Sequence, residues 1–276
     1  YENSYSDDDS DYSSSSANSV HSGAPSMSEI GRKDDSTNAY EAGKSIGSLM
    51  SAYGLNLDLA PVADVLSGNS TGIGDRTFGT DAQTVSDMAS EVIRGIQEED
   101  VNAAMKYFPG YGAASSNMSG FPVINSSLDE LKKKEFLPYS NAIAQGLDFI
   151  MVGHISVPNV TGDDTPASLS DKMISEVLRQ DLGFKGIVMT DYLNDRTIVK
   201  NYSAADAAVK AIQAGADLLL EPDDLDAAYE GVLKAVKKGD ITEDRLDESI
   251  YRILRVKLSM QDESSDTTES ESVSDY

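Results

Sequence analysis

The chain has 276 residues, no cysteine, two histidines and a formal net charge of −25. That length is enough for one large domain with a sizeable core. The absence of Cys excludes disulfides and thiolate metal sites, and His21 and His154 alone make no multi-histidine metal site. The acidic excess argues against nucleic acid and anionic membrane surfaces as partners, because phosphates are bound through Lys and Arg. No apolar run of about 18 residues is present to span a bilayer.

In chain order, residues 1–24 come first, with Glu2, Asp7, Asp8, Asp9, Asp11 and many serines but no Lys or Arg. The segment is too polar to bury a core and is expected to be disordered. The chain opens on Tyr1, which predicts a fragment or a processed form with any signal peptide upstream.

From Pro25 to Met260, short apolar runs alternate with amphipathic helical stretches. The runs Leu55–Ala60, Val101–Phe108, Leu147–Gly153, Gly186–Thr190 and Ala216–Leu220 are bounded by turn residues, as buried parallel strands are. Helices are expected near Ala39–Ala52, Asp81–Glu99, Leu128–Gln145, Ser170–Asp181, Ala204–Ala214, Leu225–Lys238 and Glu243–Leu258. Thr80 with Gln83, and Ser127 with Glu130, have the spacing of capping boxes. Gly54, Gly146 and Gly215 stand where left-handed C-cap glycines belong. Residues 261–276 form a second acidic tail, again expected to be disordered.

Repeated strand–helix units imply a parallel sheet, closed as a barrel or open and doubly wound. In both, functional side chains gather at the carboxyl ends of the strands. That rule selects Pro61–Asp64, Lys106–Gly112, His154, Asp191–Asn194 and Glu221–Asp223. Asp191 directly follows Ile187-Val188-Met189-Thr190 and faces the mouth of the sheet, either as a reacting carboxylate or as a helix N-cap. The segment Lys106–Gly112 ends a strand, with Pro109, Gly110 and Gly112 shaping a tight loop, and Lys106 offers a cation to a hydroxyl or carboxylate, or is a surface Lys beside an ordinary turn. His154 ends its strand as a wall residue or a base. Asp64 is a further strand-end acid, or a loop stabiliser through backbone amides. There is no GxGxxG or Walker pattern for a nucleotide. Asn69-Ser70-Thr71 is a nominal glycosylation triplet.

The order of motifs is more specific than any one of them. Pro25-Ser26-Met27, Ala39–Gly43, Asn56–Asp64, Gly74–Gly79, Lys106–Gly112, Val152-Gly153-His154, Leu182–Asp191, Ala214–Leu220 and Arg245–Ser249 with Arg252-Ile253-Leu254 follow one another over roughly residues 25–260. In that order they resemble the family 3 glycoside hydrolases, the β-N-acetylglucosaminidase branch fitting best. The resemblance implies a TIM-type (β/α)₈ barrel and a retaining glycosidase without a cofactor, acting on peptidoglycan-derived or related sugars. A carboxylate attacks the anomeric carbon while a second group protonates the leaving oxygen. Asp191 matches the nucleophile, Arg76 and Lys106 match residues that hold the sugar, and Tyr107 and His154 fall at substrate-side positions.

Three departures from the family pattern stand out. Its Lys-His-Phe-Pro-Gly-His-Gly loop here carries Tyr107 and Tyr111 in place of both histidines. Its acid/base His, on the following loop, corresponds to Ser119 in Asn117-Met118-Ser119, and a serine does no general acid–base work at neutral pH. The first strands of the barrel are absent, leaving about five of eight, so an upstream part or a partner chain is expected to complete it. Two functions follow: a β-N-acetylglucosaminidase-like hydrolase, or a catalytically impaired carbohydrate-binding protein on the same fold. The acidic tails and lack of Cys suit an exported or envelope-associated bacterial protein, with a cytoplasmic one as the alternative.

Overall fold

Four parallel strands lie side by side in chain order: β1 (Leu57–Asp58), β2 (Asn102–Phe108), β3 (Phe149–Val152) and β4 (Ile187–Thr190). The structure, a computed structural model, describes residues 25–67, 73–115 and 120–269, with 261–269 described through the backbone only. Residues 1–24, the triplet Asn69-Ser70-Thr71, the loop position Ser119 and the last residues of the acidic tail lie outside the described residues.

Each strand is fixed by its neighbour: Ala104 pairs with Phe149 and Met105 with Ile150, while Phe149 through Val152 pair with Ile187 through Thr190. β1 is shorter than the expected run over 55–60. Pro61 has no amide hydrogen for a ladder, and pairing resumes beyond it as the single bridge Val62–Lys106. The fifth expected strand, over 216–220, contributes one parallel bridge, Met189–Leu218. There the Thr190 hydroxyl takes over as acceptor for the Leu220 amide at 3.1 Å.

The helices are α1 (Met27–Lys33), α2 (Ser36–Ala52), α3 (Ala82–Gln97), α4 (Leu128–Lys133), α5 (Leu137–Ala144), α6 (Pro158–Thr161), α7 (Arg196–Asn201), α8 (Ala204–Ala214), α9 (Leu225–Lys238) and α10 (Glu243–Glu269). The expected single helix over 128–145 is two helices. Pro138 cannot donate to the carbonyl of Lys134 and its ring crowds it, so the chain turns at Lys134 and restarts as α5. The segment expected as a helix over 170–181 is a wide π-helix, Lys172–Asp181. α3 is capped by Asp81, whose carboxylate accepts the Thr84 amide, and not by Thr80. Ser127 and Glu130 do form a capping box, and Gly54, Gly146 and Gly215 all adopt positive φ. α10 continues past Met260 into the acidic tail, since a nucleated helix adds one hydrogen bond per further residue.

The alternation of strand side chains builds two apolar layers. Ala103, Met105, Ile150, Val152 and Val188 face outward and pack with Val92 and Ile96 of α3 and Tyr139 of α5. Ala104, Phe149, Met151, Ile187 and Met189 face inward and pack with Val256 of α10, flanked by Ile253 and Met260. The last helix therefore lies over the inner face of the sheet. Asp217, its side chain fully buried, anchors it at the amino end of β4: its carboxylate meets Arg179 at 2.6 Å and Arg252 at 2.9 Å, and accepts the Ser249 hydroxyl at 2.6 Å.

Candidate active site

Every strand-end segment selected from the sequence arrives at the same mouth of the sheet. Tyr111, in the tight loop after β2, joins them. Its hydroxyl accepts the His154 amide at 3.0 Å and donates to Asp191 Oδ2 at 3.3 Å. The other oxygen of Asp191, Oδ1, accepts the Tyr192 amide at 2.9 Å. The nucleophile candidate is thus held at both oxygens at the end of β4, with 9% of its surface exposed. It does not cap α7, because that place belongs to Asp195, whose carboxylate accepts the Thr197 amide at 2.7 Å.

Arg76 and Lys106 come together over one ring. The Arg76 guanidinium donates to the Tyr107 hydroxyl at 2.7 Å, and Lys106 Nζ lies 5.2 Å from the Tyr107 ring centroid. Tyr107 in turn packs edge-on against Tyr111, centroids 5.3 Å apart. Burial lowers the Lys106 pKa and the Arg76 charge lowers it further, while Asp58, Asp191 and Asp64 pull it back up. Burial raises the phenols of Tyr107 and Tyr111 above their ordinary range. Both stay protonated near neutrality and are not proton shuttles; Tyr111 donates to Asp191, while Tyr107 accepts from Arg76.

His154 is buried with both ring nitrogens engaged. Nε2 lies 2.8 Å from the Tyr192 carbonyl, which only accepts, so Nε2 carries the hydrogen. Nδ1 then accepts from the Ser168 hydroxyl at 2.7 Å. Burial lowers its pKa, opposed by the Tyr192 carbonyl and the Asp191 charge. His154 is a neutral wall residue that fixes the backbone beside Asp191.

Behind the site, Asp64 is fully buried. One oxygen accepts the Tyr107 amide at 3.5 Å and the other has no partner among the described residues. Burial pushes its pKa up to about 7, against the amides of Tyr107 and Tyr111 and the charge of Arg76. Gly110, at φ +117, passes so close that a Cβ there would stand 3.2 Å from Asp64 Oδ1. At the far rim, Asn194 donates to Glu221 at 3.2 Å. Ser119 falls outside the described residues.

Parallel strands in chain order, helices packed against them and a cluster of polar side chains at the strands' carboxyl ends are the arrangement of a barrel-type domain. The chain belongs to glycosyl hydrolase family 3: the profile of the family's N terminal domain matches residues 14–256. Beta-hexosaminidase LpqI of Mycobacterium tuberculosis is 30% identical over 242 residues, which span 84% of this chain and 62% of that protein. A beta-N-acetylglucosaminidase/beta-glucosidase of Cellulomonas fimi is 31% identical over 226 residues, 78% of this chain and 40% of that protein. Among solved structures, a glycoside hydrolase family 3 beta-N-acetylglucosaminidase from Paenibacillus superposes with a TM-score of 0.83 at 35% identity, over 86% of this chain and 46% of that one. The chain spans less than two thirds of the length of these relatives, and its fold is of their TIM-type barrel kind.

Proposed function

We propose that the chain carries the nucleophile side of a retaining β-N-acetylhexosaminidase site. The observation that carries this reading is Asp191, a strand-end carboxylate oriented by Tyr111 and Tyr192 at its two oxygens. Such orientation suits in-line attack on an anomeric carbon, which gives a glycosyl-enzyme ester that water then hydrolyses. Lys106 and Arg76 supply charge-assisted hydrogen bonds to sugar hydroxyls. The relatives named beta-hexosaminidase and beta-N-acetylglucosaminidase support the substrate class.

The proton for the leaving group is the weak step. Ser119 stands where the family pattern has its acid/base histidine, His154 is locked by two hydrogen bonds, and Tyr107 and Tyr111 hold their protons. Loss of a general acid lowers rates about 10²–10⁴-fold, and mainly for leaving groups that need protonation. A nitrophenyl N-acetyl-β-glucosaminide is therefore expected to be cleaved far better than an unactivated disaccharide. Asp191→Asn is expected to lower kcat/KM for the aryl glycoside by about 10³-fold or more. With Asp191→Gly, added azide should restore turnover and yield the α-glycosyl azide. Turnover unchanged by either substitution sinks the reading. Sugar binding without turnover by the unaltered chain would favour a carbohydrate-binding protein, a reading motivated by Tyr107, Tyr111 and Ser119 in place of histidines.

A further inference from the structure

Residues 62–67 run as a seam between the two cations of the site. On one side the seam is laced to the strand end and loop that follow Met105. Val62 bridges Lys106, the Ala63 amide donates to the Lys106 carbonyl at 2.6 Å, and the Ser67 amide donates to that of Gly112 at 2.8 Å. A Cβ on Gly112 would stand 2.3 Å from the Val65 carbonyl oxygen, so the two backbones touch. On the other side the seam holds the turn Gly74–Arg76. The Thr77 hydroxyl donates to the Asp64 carbonyl, and the Leu66 amide donates to the Gly79 carbonyl at 2.9 Å. Asp64 lies at the middle of this seam, shut away from solvent together with Thr77.

The pocket around its carboxyl suits a neutral acid better than an anion. An ionised carboxylate offers about four acceptor sites. Asp64 has the amides of Tyr107 and Tyr111, while Oδ2 has no partner among the described residues. The Tyr139 hydroxyl, from α5, is the other buried side-chain oxygen without one among those residues. A buried anion with so few donors is costly, and its protonated form is not. The charged and ionisable side chains that act on Asp64 are Arg76 from its turn, Lys106 and Tyr107 from β2, Tyr111 from the loop after it, Tyr139 from α5 and Asp191 from the end of β4. Arg76 donates to the Tyr107 hydroxyl at 2.7 Å and Lys106 lies against the ring of the same tyrosine. A negative charge on Asp64 attracts both cations, through an interior where screening is weak.

We propose that Asp64 is the positioning residue of the sugar-binding side: as a neutral acid it fixes the seam and leaves Arg76 and Lys106 to the sugar hydroxyls, and as an anion it competes with the sugar for them. Saccharide affinity therefore falls as pH rises through neutrality. The sign follows from burial, which lifts the Asp64 pKa to about 7, so the neutral form prevails below that pH. By linkage, bound sugar holds the proton on Asp64 more firmly than the empty site does. His154 does not produce the same profile, because burial lowers its pKa and it is already neutral there. Burial also lowers the Lys106 pKa, and removing the Asp64 titration alone separates the two. The proposal rests on the reading of Arg76 and Lys106 as the residues that hold the sugar.

Calorimetric titration of the whole chain with N-acetylglucosamine tests this. Between about pH 5.5 and about pH 8 the affinity should fall about fivefold. Asp64→Asn keeps an acceptor for the Tyr107 amide and cannot ionise. It should bind across the range as tightly as the unaltered chain does at the acid end, within about twofold. A weakened fold would instead lower affinity at every pH. Should Asp64→Asn not fold, the unaltered chain carries the test by itself. Titrations at about pH 7 in buffers of different ionisation enthalpy should show sugar binding taking up about 0.4 proton, and about none at pH 5. Sugar binding that ignores pH, equal slopes in the two chains, or no proton uptake at about pH 7 overturns the role of Asp64 and spares the sugar-binding reading of Arg76 and Lys106. Failure of the sugar to bind either chain at any pH overturns both.

Discussion

Asp64 shows how a residue can shape a site without facing substrate. Its carboxyl is fully buried behind Lys106 and Tyr107 at the end of β2 and Tyr111 in the loop after it, and burial raises its pKa from 3.8 to about 7. The folded chain therefore keeps a proton that the unfolded chain has released across about three pH units. For an acid shifted upward, the stabilising contribution is complete below the unfolded pKa and is lost as pH rises through the folded one. At about 1.4 kcal/mol per unit, the change is on the order of 4 kcal/mol. Asp64→Asn keeps an acceptor for the Tyr107 amide and removes the titration. Thermal melts from about pH 5 to 8 should show the unaltered chain losing Tm with rising pH more steeply than Asp64→Asn. Parallel slopes would show that Asp64 is not the group responsible. The acid at this strand end, and its role with backbone amides, were legible in the sequence. Tyr111 as the centre of the site was not, because its two partners lie 43 and 80 residues further along the chain.

Among the elements, α2 and α3 make the closest approach. A Cβ on Gly95 would stand 2.3 Å from the Tyr40 carbonyl oxygen, and one on Gly43 would stand 2.2 Å from that of Val92. The two backbones touch where each helix offers a glycine. Gly95→Ala gains about 1 kcal/mol of helix propensity but forces the helices apart, and overpacking of this kind costs about 3 kcal/mol. Its urea midpoint should fall, while Ser48→Ala, on the exposed face of α2, should leave the midpoint unchanged or raise it. Equal behaviour of the two variants would contradict the close contact. Periodicity and glycine placement revealed the order of strands and helices and the C-caps at Gly54, Gly146 and Gly215, because those signals are local. The break before Pro138 was also written in the sequence, as a proline inside a helical pattern. The π-helix and the cap at Asp81 were decided by hydrogen-bond geometry that alternation does not encode. The Asp217 cluster gathers Arg179, Arg245 and Arg252 from distant segments, so no spacing announces it.

At the scale of the whole molecule, the placement of α10 has the largest consequences. Among the described residues, four strands and the edge bridge Met189–Leu218 make an open sheet, and its inward side chains need cover. Val256, 3% exposed, supplies it together with Ile253 and Met260, while Arg252 and Arg255 pair with Asp217 and Asp148 at the amino ends of the strands. The opposite side of the same helix carries Leu254 and Leu258, the latter 57% exposed. These two sides give a paired test. Val256→Asp places a carboxylate in the inner apolar layer without a partner and should destabilise the chain by about 3–5 kcal/mol. Leu258→Asp adds a charge on the exposed side and should change stability by about 0.5 kcal/mol or less. Urea unfolding followed by circular dichroism, with an apolar dye reporting uncovered inner surface, separates the two. A large loss with dye uptake for Val256→Asp alone places α10 over the sheet. Similar small effects from both would mean that the inner face is covered by something other than this helix, and the Arg252–Asp217 pairing would then have to be reassigned as well, since the same helix turn carries both contacts.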